Sequence, residues 1–203
     1  VMLAMGAALE KKQLPILLGG DHCLGIGSIT AVANYCRSTG KKLRVIWLDA
    51  HADFNTHEVT PSGNVHGMPV SCLCGLGPQA LTHLGGLSPA MNAEDIRQIG
   101  IRSVDAGEKK LVKEYSLDIY DMRYIDEIGI KRAMEEALED FTGTVILVTH
   151  DRKFIEHMRL DDLYLLDRGA LTQIDTIAAY QERLMPGILR NLKRLDERIE
   201  KKF

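Results

Sequence analysis

Residues 45–53 read Val-Ile-Trp-Leu-Asp-Ala-His-Ala-Asp, a short apolar run followed at once by three side chains that can bind a metal ion. The run Val45 to Leu48 has the composition of a strand buried in a parallel sheet. Asp49, His51 and Asp53 follow at alternate positions, so their side chains point the same way in an extended segment. Two carboxylates and one imidazole suit Mn, Fe or Zn. The stretch therefore predicts a metal site at the carboxyl end of a strand, where open α/β sheets bind ligands.

The remaining sequence alternates apolar runs with amphipathic stretches, which is typical of strands joined by crossover helices. The predicted fold class is α/β, a three-layer α/β/α arrangement with a mainly parallel sheet, followed by a short β-hairpin and a helical tail. Strands are predicted at Ile16–Leu18, Leu43–Leu48, Ile96–Ile101, Asp118–Met122, Val145–Val148 and Leu163–Leu166, and the last is followed by a hairpin turn at 167–169. Helices are predicted at Leu3–Lys12, Ile26–Cys36, Glu127–Leu138 and Ile188–Lys201.

Composition narrows the function classes. The 203 residues are 45% hydrophobic and 26% charged with a net charge of -3, which suits a globular protein and argues against a strongly basic nucleic-acid binder. No apolar run approaches the roughly 18 to 20 residues of a membrane span, so we expect a cytoplasmic protein without a membrane partner. The four cysteines lack a CxxC pair and are interpreted as reduced thiols. The chain opens in a helix without a leading strand, which we interpret as a fragment or a rearranged gene.

A second candidate ligand lies in Gly19-Gly20-Asp21-His22, which also follows an apolar run. The glycines allow a tight turn, so His22 is expected at the same edge of the sheet as Asp49 to Asp53. A single histidine is commonly a buried, hydrogen-bonded imidazole. Its place beside a second strand end that carries metal-binding side chains favours the ligand interpretation.

The segment from Asn55 through Ser62-Gly63-Asn64-Val65-His66-Gly67-Met68-Pro69 is rich in small hydrogen-bonding residues. Next to a metal site it could hold a substrate, and His66 is a candidate proton shuttle because imidazole titrates near neutrality. The alternative is an ordinary surface loop rich in turns.

Taken together, these motifs resemble the signatures of the arginases in the ureohydrolase family. The resemblance covers residues 1–135 and lies in GGDH (19–22), DAHADFNT (49–56), SGNVHGMP (62–69), IGIRSVDAGE (99–108) and YDMRYIDEIGI (120–130). It implies two Mn(II) ions, one bound by His22, Asp49 and Asp53 and the other by His51 and the bridging Asp49. It further implies hydrolysis of arginine to ornithine and urea by a water that the metals activate, and a homo-oligomeric assembly.

The resemblance also implies roles around the metals. His66 would move protons. Asn55 and Ser62 would contact the substrate α-carboxylate, with Asn64 supporting their loop. Asp105 and Glu108 would lie on the α-amino side.

Residues 136–182 lack the strand that brings two further aspartates to an arginase-like site. Within this range, DFTGTVILVTHDR (140–152) and LLDRGALT (165–172) resemble the end of an ABC-F ATPase cassette. The chain is interpreted as a chimera with parts 1–135, 136–182 and 183–203. ATP hydrolysis is not expected because no GxxxxGK[ST] loop occurs. Asp151 could replace a missing metal ligand, with Lys153 where the second aspartate would be; alternatively Asp151 caps a helix or faces solvent.

The amphipathic tail, residues 183–203, carries seven Lys or Arg against three Asp or Glu. It is interpreted as a helix that packs on the body or on a second copy, and the alternative is a basic face for nucleic acid.

The sequence alone leaves two functions of the chain open. One is an arginase-like hydrolase of a guanidino substrate, impaired by its missing ligands. The other is an inactive chimera or fragment with a vestigial metal site.

Overall fold

A computed structural model describes residues 1–142, 163–167 and 170–175. The chain divides into two compact units, Val1–Thr144 and Val145–Phe203. The predicted three-part division at 135 and 182 stays a prediction.

The first unit holds a three-stranded parallel sheet and seven α-helices in its described part. The strands are β1 (Val45–Leu48), β2 (Ile96–Ile101) and β3 (Asp118–Asp121). The helices are α1 (Met2–Glu10), α2 (Leu24–Ser38), α3 (Pro69–Leu73), α4 (Gln79–Thr82), α5 (Ala106–Glu114), α6 (Met122–Ile128) and α7 (Ile130–Leu138). Short 3₁₀ turns lie at Val65–Gly67 and Ala93–Asp95.

The sheet order is β1-β2-β3, with β2 in the centre. Val45 pairs with Ile96, and Arg97 pairs with Asp118, both in parallel register. Ile96 and Ile99 point to opposite faces of β2 and are both almost fully buried, at 0% and 2% exposure. Burial on both faces explains why this strand is a continuous apolar run. The predicted α/β class with a parallel sheet is confirmed.

The core lies between the sheet and the helices. Trp47, Phe54, Val70, Ile96 and Ile101 belong to its main cluster of buried side chains. Helices α6 and α7 contact β2. The carboxyl ends of β1 and β2 therefore project from a well-packed base, and the polar loops that follow them start from fixed positions.

The predicted helix Glu127–Leu138 is two helices. Gly129 separates α6 from α7 with a φ of +83°, a conformation that ends a helix and that glycine adopts without strain. Helix α5 was not among the predicted helices, although Asp105 and Glu108 form a capping box at its start. The predicted strands at 43–48, 96–101 and 118–122 are confirmed within one or two residues at each end.

The strand predicted at Ile16–Leu18 is wrong, because these residues form no strand in the structure. A strand needs a neighbour that pairs its backbone, and among the described residues β1 is the edge of the sheet with no partner on its outer side. The side chains of Leu14, Ile16 and Leu18 are 64%, 73% and 89% exposed. An apolar run suited to a sheet thus lies unpaired.

In the second unit, the described residues form an antiparallel hairpin of β4 (Leu163–Asp167) and β5 (Ala170–Ile174). Leu163 pairs with Ile174, and Asp167 pairs with Ala170. This confirms the predicted hairpin. The strand predicted at Val145–Val148, the helix predicted at Ile188–Lys201 and the tail 183–203 lie outside the described residues. No helix in the described parts of the chain is both long enough and apolar enough to cross a membrane.

Candidate metal centre

Three predicted ligands meet at the carboxyl end of β1. His22 lies in the turn before α2, where the Asp21 carboxylate accepts a hydrogen bond from the Cys23 amide at 2.8 Å. Asp49 and Asp53 lie in the loop that leaves β1. One ligand atom from each of His22, Asp49 and Asp53 lies within 4.8 Å of the others. A metal ion could therefore bind all three at once.

The imidazole of His22 faces both carboxylates. Its Nδ1 lies 2.7 Å from Asp49 Oδ2 and 3.0 Å from Asp53 Oδ2. The ring also packs on Trp47, with the ring centroids 4.6 Å apart. Trp47 is a buried side chain of β1, so the strand that delivers the aspartates also orients the histidine.

Asp53 is the most deeply buried of the three ligands, with 5% of its surface exposed. Burial raises the pKa of its carboxyl to about 6; the hydrogen bond from His22 opposes this shift, and the negative charge of Asp49 adds to it. An ionised carboxylate in this place is costly unless a cation compensates it. A nitrogen and two carboxylate oxygens are donors that Mn, Fe and Zn accept, so the side chains present fit a divalent metal ion.

His51 is not part of this group of three. Its side chain is 61% exposed, and its Nδ1 lies 3.5 Å from Asp49 Oδ1, the carboxylate oxygen that does not face His22. Asp49 thus lies between two imidazoles and presents one oxygen to each. This arrangement has the shape of a carboxylate that could bridge two ions.

The loop that contains Ser62, Asn64 and His66 lies at the same edge of the sheet as the three ligands. His66 is 58% exposed, and its Nδ1 lies 3.8 Å from Asp21 Oδ2, beside the predicted ligand His22. Ser62 and Asn64 are exposed, and the Ser62 hydroxyl accepts a hydrogen bond from the Asn64 amide at 3.2 Å. These three side chains are accessible to a small molecule.

Asn55 and Asp105 join the loop after β1 to the start of α5. The Asn55 side-chain amide donates to Asp105 Oδ2 at 3.0 Å. Asn55 is 6% exposed, and its Oδ1 is buried without a partner in the described parts of the chain. The structure therefore brings these two predicted substrate residues together.

Glu108 holds backbone groups with both carboxylate oxygens. They accept hydrogen bonds from the Phe54 amide at 2.8 Å and the Asp105 amide at 3.0 Å. The residue is 3% exposed, and burial is the main reason that its pKa is raised. Both oxygens are thus engaged with the protein, which gives Glu108 a clear part in holding the loop after β1.

Two features of this site were not predicted. Gln98, fully buried in the middle of β2, donates from Nε2 to the Ala52 carbonyl at 2.6 Å. Ser71 in α3 donates to the Asn55 carbonyl at 2.5 Å. A polar residue inside an otherwise apolar strand was a sequence signal for Gln98, whereas Ser71 gave none. The predicted ligand Asp151, with His150 and Lys153, lies outside the described residues.

The fold and this cluster define a class, namely α/β proteins with a candidate metal centre at the carboxyl end of a parallel sheet. The model of the arginase family matches residues 1–157. The chain belongs to the arginase family.

Individual arginases are also similar to this chain in sequence and in structure. The arginase of Bacillus caldovelox is 44% identical over 135 residues, which are 66% of this chain and 44% of that protein. Its solved structure superposes with a TM-score of 0.65 over 68% of this chain and 45% of that one, at 43% identity. The arginase of Staphylococcus aureus strain MRSA252 is 35% identical over 173 residues, 85% of this chain and 51% of that protein. A structure of Entamoeba histolytica arginase in complex with L-ornithine has a TM-score of 0.60 at 34% identity and covers 69% of this chain and 49% of that one.

These matches correct the predicted extent of the family resemblance. The family model continues to residue 157, past the boundary predicted at 135, and nothing in these comparisons supports an ABC-F segment. The chain spans about half the length, or slightly less, of the relatives that it matches.

Proposed function

We propose that this chain binds Mn(II) through His22, Asp49 and Asp53 and takes part in the hydrolysis of arginine to ornithine and urea. The observation that carries the proposal is the convergence of one imidazole and two carboxylates within 4.8 Å at the end of β1. Membership of the arginase family and the similarity to bacterial arginases support the metal and the substrate.

His51 would hold a second ion together with Asp49. Asp49 would bridge the two ions, because its two oxygens face His22 and His51 separately. A divalent metal ion held in this way acts as a Lewis acid and lowers the pKa of a water molecule toward neutrality. Asp151 is proposed as a further ligand on sequence order alone.

The protein's own side chains would orient arginine and move the proton. Ser62 would contact the α-carboxylate from the exposed loop, with Asn64 holding the Ser62 hydroxyl. Asn55 would contact the α-carboxylate together with Ser62, and Asp105 and Glu108 would lie on the α-amino side, where Asp105 accepts a hydrogen bond from the Asn55 side-chain amide. Arginine would thus be held by both ends of its amino-acid group.

In the reaction, the oxygen of water bonds to the guanidino carbon, and the bond from that carbon to the side-chain nitrogen of arginine breaks. The leaving nitrogen needs a proton to depart as the neutral amine of ornithine. His66 would move this proton, because its ring is exposed beside Asp21 at the same edge of the sheet.

The chimeric origin and the impaired activity are also proposals. Both would lower the rate of arginine hydrolysis and leave metal binding in place. The region matched by this chain is only about half of each relative, and a site with fewer carboxylates compensates the charge of two dications less well. The second candidate function is therefore a metal-binding protein without turnover. A cytoplasmic location and a homo-oligomer are proposed from family membership and sequence composition.

The test is equilibrium dialysis of the full chain against Mn(II), followed by a urea assay with arginine. We expect at least one ion per chain, loss of that ion in Asp53→Asn, and no loss in the matched control Asp126→Asn, which removes an exposed carboxylate elsewhere. Mn-dependent release of urea would support the hydrolase. Metal binding without urea would favour the second function, and no binding would reject both.

A further inference from the structure

Gln98 is a fully buried amide in the central strand, and it contacts the loop that carries two of the metal ligands. Its Nε2 donates to the carbonyl oxygen of Ala52 at 2.6 Å. Ala52 immediately precedes Asp53, so its carbonyl belongs to the peptide unit that joins the two residues. Gln98 thus fixes the orientation of that peptide unit.

The orientation matters because Asp53 has a left-handed backbone with a φ of +49°. Residues other than glycine adopt this conformation only when surrounding contacts impose it. The angle φ measures the rotation of the 52–53 peptide relative to Asp53. A contact that holds this peptide therefore holds φ, and φ determines where the Asp53 side chain points.

The peptide that follows Asp53 is also held by hydrogen bonds. Its carbonyl accepts hydrogen bonds from the amides of Val70, at 3.0 Å, and Ser71, at 3.4 Å, in the first turn of α3. The peptide before Asp53 is bound to β2 and the peptide after it is bound to α3. With both peptides fixed, the carboxylate is directed toward His22 and Asp49.

Packing does not explain a glutamine at this position. Its Oε1 is buried and has no partner among the residues that the structure describes. A buried polar atom without a hydrogen bond is unfavourable, and methionine would fill the same volume without that cost. The neighbour on the same face of β2, Ile96, is apolar and equally buried. The hydrogen bond to Ala52 is the contact that only an amide donor supplies.

We propose that Gln98 is a positioning residue of the metal centre, which acts through the 52–53 peptide to hold Asp53 in its left-handed, metal-binding conformation. The inference rests on the proposed function for the identity of the metal. It assigns Gln98 no contact with metal or substrate.

Gln98→Met removes the donor at similar volume. Groups that orient metal ligands typically contribute 10- to 100-fold to metal affinity, so we expect the Mn(II) dissociation constant to rise about tenfold or more. Ile96→Ala is the matched control, since it opens a cavity on the same face of β2 and removes no hydrogen bond to the loop. We expect it to lower the melting temperature and to leave the dissociation constant within about twofold of the wild type. Unchanged affinity in a folded Gln98→Met protein would overturn the proposal, and so would failure of that variant to fold, because Gln98 would then serve the fold as a whole.

A second measurement needs no metal. In the metal-free chain, the amides of Phe54 and Asn55 are bound to Glu108 and to the Gly67 carbonyl. Release of the 52–53 peptide should weaken both of these hydrogen bonds. We therefore expect faster hydrogen exchange at the two amides in Gln98→Met, and no change in Ile96→Ala. Equal rates in Gln98→Met and the wild type would contradict the positioning role. If the wild type binds no Mn(II), the proposed function fails, and the exchange rates still decide the role of Gln98.

Discussion

Nδ1 of His22 lies 3.0 Å from Oδ2 of Asp53, although 31 positions separate the two residues in the sequence. The contact joins the turn before α2 to the loop after β1. It places a nitrogen and a buried carboxylate oxygen side by side at the end of a parallel sheet. Burial of the Asp53 carboxylate in this contact lowers the stability of the metal-free protein when the carboxylate is ionised, and this loss can be measured.

The metal-free protein should become less stable as the pH rises from about 4 to 6. Burial raises the pKa of Asp53 from 3.8 to about 6. The folded state therefore holds this proton more tightly than the unfolded state, and the stability that it provides is lost as the pH rises through the folded pKa. The difference corresponds to about 3 kcal/mol. Chemical denaturation at several pH values should show the loss, and Asp53→Asn should reduce it.

Mn(II) should oppose this trend, because it binds the ionised carboxylate. We expect the rise in melting temperature on addition of Mn(II) to be larger at pH 7 than at pH 5, and removal of the metal by a chelator to restore the metal-free curve. An equal rise at both pH values would contradict metal binding at Asp53.

Gly100→Ala should disturb the metal centre through Asp49. Gly100 has a φ of +92°, and a Cβ built there would lie 3.2 Å from the Asp49 carbonyl oxygen. The strained backbone should lower the free energy of unfolding by about 1–2 kcal/mol. The close contact should in addition weaken Mn(II) binding, as measured by calorimetry. Gly86→Ala is the control, since Gly86 has a φ of +82° with open space around it; it should lose stability and keep its metal affinity.

Much of this centre could be predicted from the sequence, because its ligands follow apolar strands directly. Asp49 and His22 are fixed by the strand end and by the glycine turn, which are local features. The left-handed backbone of Asp53 and the amide of Gln98 could not be predicted in the same way. They depend on contacts between residues 46 positions apart, which only the folded chain brings together.

The error at Ile16–Leu18 has a similar origin. Apolar composition predicts that a segment can pair in a sheet, but pairing depends on a neighbouring strand. In the described structure the sheet ends at β1. Gly129 is the opposite case, because a single glycine inside a helical pattern was sufficient to divide the predicted helix.

Glu108→Gln should destabilise the fold. The two carboxylate oxygens each accept a backbone amide, and glutamine offers one oxygen and one NH₂ group. One buried amide would lose its acceptor, at a cost of about 1–3 kcal/mol. Urea denaturation measures the loss. Glu114→Gln, at an exposed position of the same helix, should change stability little. A Glu108→Gln protein of normal stability would indicate that Glu108 serves mainly the substrate.

Asp140→Asn should lower the melting temperature at pH 7 and have little effect near pH 2. Arg44 binds the Asp140 carboxylate and lowers its pKa to about 2. The stability from this pair is present above the unfolded pKa of about 3.8 and is lost as the pH falls through the folded value. The carboxylate is exposed, so the difference at pH 7 should shrink in high salt. A difference that persists at pH 2 would contradict this pairing.

The exposed segment at 14–18 should drive self-association of the chain. Ile16 and Leu18 are 73% and 89% exposed, and unpaired apolar segments beside a sheet edge favour aggregation. The double variant Ile16→Lys, Leu18→Lys should shift light scattering toward the monomer. It also changes the net charge from -3 to -1. The double variant Leu84→Lys, Leu87→Lys makes the same change at two exposed leucines elsewhere, and we expect it to leave association unaltered. Equal behaviour of the two double variants would assign the effect to charge and would contradict a specific role of the segment.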